Sequence, residues 1–366
     1  MKADRTRTAL SGAVQYSERD RERLFRFLKQ VWKNDPERYD PKIWEWRFGG
    51  PHHAQPNIVL FKLNDDVIGE QCGVPIVLRI DNEYVDMVCG QDLIVLEQYR
   101  SKGVGYLLQK QWLQITPNML VLRIGDEAHR LMTQLGFMDL SHVGSNFNKL
   151  LNSETLLRDI LKSGMLAGVL SNPINRLTRM IFRTSPVALE TNQTLTEIQT
   201  FSKEYDCFFE NVAEDYEIIV KKDSTYLNWR YVDRPDGLVH RLFELREGDS
   251  LRGFLVLRID ENKKLTRGLV VELICALTKK EYFSNLLRHA VAYFEDHSVD
   301  IIQFWTTNKR YYDQIRSEGF VKRESKIRFM VRLDPRKYEE AYLRNERNWF
   351  LSYGDSDDLG QVTESE

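Results

Sequence analysis

Strand-like apolar runs at Ile58 to Leu63, Val67 to Ile80 and Tyr84 to Leu96 are separated by Asn64-Asp65-Asp66 and Asp81-Asn82. These separators are turn formers, so the stretch predicts hairpin-linked strands. An apolar-periodic helix follows at Val104, Leu107, Leu108 and Trp112. Then come a buried-looking strand at Met119 to Ile124, a short helix, and a further strand after Gly136-Phe137. The same order returns downstream, with strands at Val239 to Leu245, Leu251 to Ile259 and Gly268 to Ala276, a helix, and a strand at Ile301 to Trp305. That helix carries Phe283, Leu286, Leu287, Ala290 and Phe294, a spacing that fits the helical period well. Each series opens on polar-apolar helical sequence, Ser17 to Lys33 and Leu195 to Tyr205. Antiparallel strands, a crossover helix and a parallel strand together predict an α/β (α+β) layer architecture.

Three signatures recur in register. Trp44-Glu45-Trp46-Arg47-Phe48 returns as Leu227-Asn228-Trp229-Arg230-Tyr231, and Asp92-Leu93-Ile94-Val95 returns as Glu272-Leu273-Ile274-Cys275. Leu135-Gly136-Phe137 returns as Glu318-Gly319-Phe320. Three matches in order argue for two copies of one domain. The expected organisation is a first domain over 1–149, a helical connector over 150–186, a second domain over 187–335, and a C-terminal helix and polar tail over 336–366. The Trp-Arg pairs could clamp an anion, but their presence in both copies favours a fold role, with Trp in the core and Arg on an internal carboxylate or a helix end.

In the connector, Met165 to Leu170 is apolar, and Arg176, Arg179 and Arg183 interleave with Leu177, Met180, Ile181 and Phe182. Packing between the domains is the plainer reading; the other is weak contact of 165–183 with an anionic membrane surface. The tail Gly354-Asp355-Ser356-Asp357-Asp358 reads as a solvated terminus, with too few ligands for a divalent ion.

The 366 residues are 42% hydrophobic, 11% aromatic and 29% charged, an ordinary globular composition with room for two cores. A net charge of −2 with no sustained basic face argues against nucleic acid as a partner. No apolar run reaches membrane-spanning length, and Met1-Lys2-Ala3-Asp4-Arg5 lacks a signal-peptide core, so a cytoplasmic location is expected. Cys72, Cys89, Cys207 and Cys275 form no Cys-x-x-Cys pair and read as reduced, buried thiols; no metal site is expected.

The sharpest chemistry lies where strand passes into helix, at Asp92-Leu93-Ile94-Val95-Leu96-Glu97-Gln98-Tyr99-Arg100-Ser101-Lys102-Gly103-Val104-Gly105. A helix N-terminus presents free backbone N–H groups, Arg100 and Lys102 add positive charge, and Gly103 and Gly105 let an anion approach the backbone. The spacing is neither a Walker loop nor a dinucleotide Gly-x-Gly-x-x-Gly. Arg-x-x-Gly-x-Gly resembles the acyl-CoA pyrophosphate loop of the GNAT acyltransferase superfamily. The chain as a whole is similar to tandem GNAT proteins of bacterial surface-polysaccharide and amino-sugar pathways.

That resemblance implies tandem GNAT-like domains, each a mixed, mostly antiparallel sheet flanked by helices, with the first binding acetyl-CoA or another acyl-CoA. The cofactor-binding residues would be Leu93, Ile94 and Val95 along the pantetheine arm, then Arg100, Ser101, Lys102, Gly103, Val104, Gly105 and Tyr106 at the phosphates. The activity implied is N-acyl transfer, most simply acetyl, to a small-molecule or glycan-precursor amine. Alternatives are a non-catalytic acyl-CoA-binding or scaffold protein and a tRNA-dependent aminoacyltransferase-like enzyme.

Two departures stand out: Met132 occupies the position of the family's usual Tyr acid, and Gly125 that of an Asn that contacts the cofactor. Amine acylation needs a base within reach. The family's Glu position falls on Cys89; the nearby carboxylates are Asp86 and Asp92, and Asp92 is set among apolar residues where burial would raise its pKa. The competing reading is an Asp satisfied by its neighbours or by an Arg of the Trp-Arg element. His129 reads as a helix-surface residue. The second copy has Leu277-Thr278-Lys279-Lys280-Glu281-Tyr282 in place of the loop, without glycine, so it is expected to have lost CoA. It keeps Asn308 and Gly319-Phe320, and its Glu272 is expected to face the acceptor.

Overall fold

The computed structural model describes residues 12–49, 57–261, 265–325 and 327–356. The first half supplies strands β1 (Gly12–Gln15), β2 (Asn57–Leu63), β3 (Asp66–Ile80), β4 (Glu83–Val95), β5 (Met119–Leu122), β6 (Met138–Asp139) and β7 (Ser145–Leu150). Its helices are α1 (Arg21–Val31), α2 (Pro41–Phe48), α3 (Val104–Ile115) and α4 (Asp126–Gln134), with α5 (Glu154–Leu161) and α6 (Gly164–Ile181) following. The second half supplies β8 (Gln193–Ile198), β9 (Ile218–Val220), β10 (Arg241–Glu247), β11 (Ser250–Glu261), β12 (Thr266–Cys275), β13 (Ile301–Thr306), β14 (Val321–Glu324), β15 (Phe329–Arg332) and β16 (Trp349–Phe350). Between them lie α7 (Glu204–Ala213), α8 (Ser224–Tyr231), α9 (Lys280–Asp296), α10 (Tyr312–Ser317) and α11 (Glu340–Arg344).

These strands form two mixed, mostly antiparallel sheets flanked by helices. Asn64 and Asp65 adopt positive φ between β2 and β3, the left-handed turn that Asn and Asp tolerate best. The first sheet runs β1-β2-β3-β4-β5-β15-β6 and the second β14-β7-β13-β12-β11-β10-β8. The exchange is reciprocal: β7 leaves the first half to pair with β13 and β14, while β15 of the second half enters between β5 and β6. Neither sheet is therefore complete over 1–149 or 187–335 alone, and backbone pairing ties the halves together.

The repeated Trp-Arg element makes the second tie. Trp46 and Trp229 stack at 5.3 Å, and each indole N–H donates to the other's backbone carbonyl, at 2.9 and 2.8 Å. Trp44 instead packs in the core against Tyr16 and Phe48.

Three expectations change. Leu195 to Tyr205 is not one helix: Gln193–Ile198 forms edge strand β8 on β10, and the helix begins at Glu204. Alternating Thr194 and Thr196 suit a pleated edge, and pairing with β10 overrides the helical reading. Cys207 is exposed, unlike the other three cysteines. Among the described residues the C-terminal region has one α-helix, the short α11, and Trp349 to Ser356 is buried rather than a solvated tail. Asp357 and Asp358 lie outside the described residues.

Candidate active site

Strands β4 and β5 pair in parallel only from Val88–Met119 to Gly90–Val121, yet β4 continues to Val95. Beyond Gly90 the two strands part, leaving the β5-facing backbone of Gln91 to Val95 out of the ladder. The loop after β4 turns through positive φ at Ser101 (58°) and Gly103 (81°) before α3 starts. The amide of Leu107 donates to Gly103 O at 3.1 Å, so those of Val104, Gly105 and Tyr106 form the first, unbonded helical turn. With the helix dipole they make a positive pole.

This pole opens on a cleft of about 410 Å³ lined by Leu93, Val95, Arg100, Ser101 and Gly105 on one side. Gly125, Asp126, Glu127, Ala128 and Leu131, at the start of α4, line the other. A Cβ at Gly103 would meet nothing within 4 Å, so the backbone there is open to an approaching group. Arg100 Nε donates to Val95 O at 3.0 Å, which fixes the loop against the strand end. Of the remaining sequence candidates, Lys102, Gly103 and Tyr106 are exposed beside the cleft and Val104 is buried beneath it. Ile94 points to the other face of the sheet, because successive strand residues alternate. Met132 lies in the core, and His129 bonds Asp139 at 2.7 Å on the surface of α4.

The alternation also sorts the carboxylates. A Cβ at Gly69 would touch Leu108 and Val104 of α3, so Glu70, next along β3, faces the opposite side, toward α2. Asp92 lies on that same face, in register with Ile94, the β-partner of Glu70. Asp92 is committed: Arg47 Nη1 donates to its Oδ2 at 2.9 Å and Arg38 Nη1 to its Oδ1 at 3.1 Å. The Arg of the repeated element thus pairs an internal carboxylate, the fold role.

Glu70 differs. Its side chain is 2% exposed, and among the described residues no hydrogen bond reaches its carboxyl. Burial, reinforced by the negative charge of Asp92 and opposed by Arg47, pushes its pKa well above the ordinary 4.5. Glu70 is not among the residues the family resemblance singles out; its one signal in the sequence is that it stands as the lone charge in the run Val67 to Leu78.

The second half repeats the splay and closes it. Strands β12 and β13 pair from Arg267–Ile301 to Val270–Phe304 and then part. Into that gap runs the C-terminal segment: Thr307 N donates to Leu351 O at 3.1 Å, and Ser352 bridges Thr306. Glu272, expected to face an acceptor, is wholly buried beneath it. Its Oε1 accepts from Tyr231 Oη at 2.8 Å, from Ser352 Oγ at 2.6 Å and from Lys222 Nζ. Lys222 also bonds Asp355 Oδ1 at 2.5 Å, and Arg230 donates to Gly354 O and Ser356 O. Burial raises the pKa of Glu272, and Asp355 adds to this while Lys222 opposes it. Burial works against the charge on Lys222, but Asp355 and Glu272 outweigh it and hold the amine protonated. Gly354 is required here, since a Cβ would collide with Tyr231 Oη and Glu272 Oε1.

Replacing Lys222 by Met is expected to destabilise the fold by about 3–5 kcal/mol, because two buried carboxylates lose their cation. Denaturant unfolding measures this. A loss under about 1 kcal/mol would show that the network does not hold the C-terminal segment.

No family model matches the chain, and no curated protein matches it in sequence. Solved structures do match in shape. A crystal structure of a conserved Enterococcus faecalis protein described as a probable N-acyltransferase superposes with TM-score 0.60 at 12% identity, covering 89% of this chain and 73% of that one. This chain has the GNAT fold. A GCN5-related N-acetyltransferase from Anabaena variabilis gives TM-score 0.57 at 11% identity, covering 88% and 72%. Saccharomyces cerevisiae N-myristoyltransferase with bound myristoyl-CoA gives 0.54 at 12%, covering 93% of this chain and 89% of its own. Within the GNAT fold, the two partings of parallel strands and the loop ahead of α3 are where the two halves differ. One opens on a cleft; the other is filled by the chain's own terminus.

Proposed function

We propose that the chain is an acyl-CoA-dependent N-acyltransferase built from two GNAT-like copies, with one acyl-CoA bound per chain by the first copy. The observation that carries this reading is the junction of an open helix N-terminus with the unpaired edge of β4. The pyrophosphate would take the amides of Val104 to Tyr106 together with Arg100 and Lys102. The pantetheine arm would lie along Leu93 to Val95, whose β5-facing edge lies outside the ladder, with Val95 O already held by Arg100 Nε. The likeness to N-acetyl- and N-myristoyltransferases supports an acyl-CoA donor and leaves the acyl length open.

In the transfer, the acceptor nitrogen attacks the thioester carbonyl, the C–N bond forms, the C–S bond breaks, and the thiolate leaves. The ammonium proton must go to a base. We assign that role to Glu70, since Asp92 is bound by two guanidiniums and serves to position them. A carboxylate with a raised pKa suits proton uptake near neutrality. Glu70 lies across from Ile94, in the stretch of β4 that has parted from β5, so the acceptor would approach it from the α2 face, opposite the cleft. An amino sugar of a surface-glycan precursor is the acceptor class proposed.

The test is to incubate the full chain with acetyl-CoA and longer acyl-CoAs and a panel of amino sugars and other amines, following free thiol and acceptor mass. Thiol release matched to a heavier acceptor is the expected result. Tight CoA binding without transfer to any amine would instead favour a binding protein, and no CoA binding would end the proposal.

A further inference from the structure

Outside the cleft, the largest departure from an ordinary surface is the α5–α6 hairpin. Among the described side chains of α6 only Ala167 and Ser171 are buried, both small. Met165, Val169 and Met180 are 83%, 67% and 74% exposed, with Leu166, Leu177 and Ile181 also exposed. At the helical period these side chains fall on one contiguous arc, with Arg176 set between Met165 and Val169. On α5, Ile160 is exposed as well. Soluble monomers rarely leave a contiguous apolar face of this kind uncovered.

Charge identifies what covers it. No Asp or Glu lies between Asp159 and Glu190, whereas Lys162, Arg176, Arg179 and Arg183 do, in a chain whose net charge is −2. A second copy docking the same face on itself would set these cations against each other. An anionic lipid surface matches both properties, taking the apolar arc into the headgroup boundary and the cations onto its phosphates. Among the described residues no helix is long and apolar enough to cross a membrane, and α6 is interrupted by Pro173.

We propose that the α5–α6 hairpin is a docking surface for an anionic lipid bilayer, on which α6 lies in the plane of the headgroups. This goes beyond the acyltransferase reading and stands without it. The experiment is flotation of the full chain with phosphatidylcholine vesicles with and without phosphatidylglycerol, at low and high salt. The protein is expected to float with the anionic vesicles alone and to be released by salt. R176Q and R183Q are each expected to weaken retention by about fivefold. The triple variant M165D, V169D and M180D is expected to abolish retention while its melting temperature holds, since all three side chains are exposed. Absence of flotation, or equal flotation on neutral vesicles, would overturn the proposal. So would a concentration-dependent dimer in sedimentation that the triple variant breaks while vesicle binding is unchanged, which would assign the face to a second copy.

Discussion

Glu70→Gln is expected to lower turnover by about 10²–10⁴-fold with little change in acyl-CoA affinity, while making the protein more stable at neutral and alkaline pH. The two effects share one cause. A buried carboxyl beside the negative charge of Asp92 resists ionisation, so the folded state holds its proton at pH values where the unfolded chain has released it. Between the ordinary 4.5 and the raised folded value, the native protein binds more protons than the unfolded one. Stability from this group is therefore fully present below 4.5 and is lost as pH rises through the folded pKa. Gln removes that dependence, so the variant should match the parent at acid pH and exceed it above the transition. Denaturant midpoints across pH, read beside kcat and the CoA dissociation constant, separate the outcomes. Stabilisation with unchanged kcat would leave Glu70 a structural residue and assign the base elsewhere.

Gly103→Trp is expected to weaken CoA binding by more than about 10³-fold, equivalent to roughly 4 kcal/mol, with a much smaller loss of stability. Gly103 sits at φ 81° ahead of the free amides of α3, and a Cβ there meets no neighbour within 4 Å. The indole would extend from that open position into the space ahead of the α3 amides, where the pyrophosphate is proposed to bind. The fold is expected to lose only the left-handed strain of a non-Gly residue, about 1–2 kcal/mol. Gly103→Ala shares that strain without the bulk, and serves as the control. Equal CoA affinity in the Trp variant and the parent, by calorimetry, would remove the loop from the donor site.

Much of this was legible along the chain because it depends on neighbours in sequence. Strand alternation, Asn-Asp turns, the helix of Phe283 to Phe294 and the glycine-bearing loop are local patterns, and the backbone obeys them. The Trp46 and Trp229 repeat was visible as text, but not that the two indoles would stack and cap each other's helices. Asp92 was visible as a lone acid; its capture by Arg38 and Arg47 depends on helices packed from elsewhere.

By itself, then, the sequence determined the layer architecture, the anion-receptive loop at Arg100 to Gly105, and its lack in the second half. Those features need only periodicity, glycine and the order of strand and helix. Only the tertiary structure decided that β7 and β15 change places, that Trp349 to Ser356 fills the second splay, and that Glu272 is sealed while Glu70 is buried beside Asp92 and Arg47. Each of these joins residues far apart in the chain. Burial of a carboxylate, the choice of its counter-ion and the pairing of a strand edge are properties of what packs around them, which no local pattern contains.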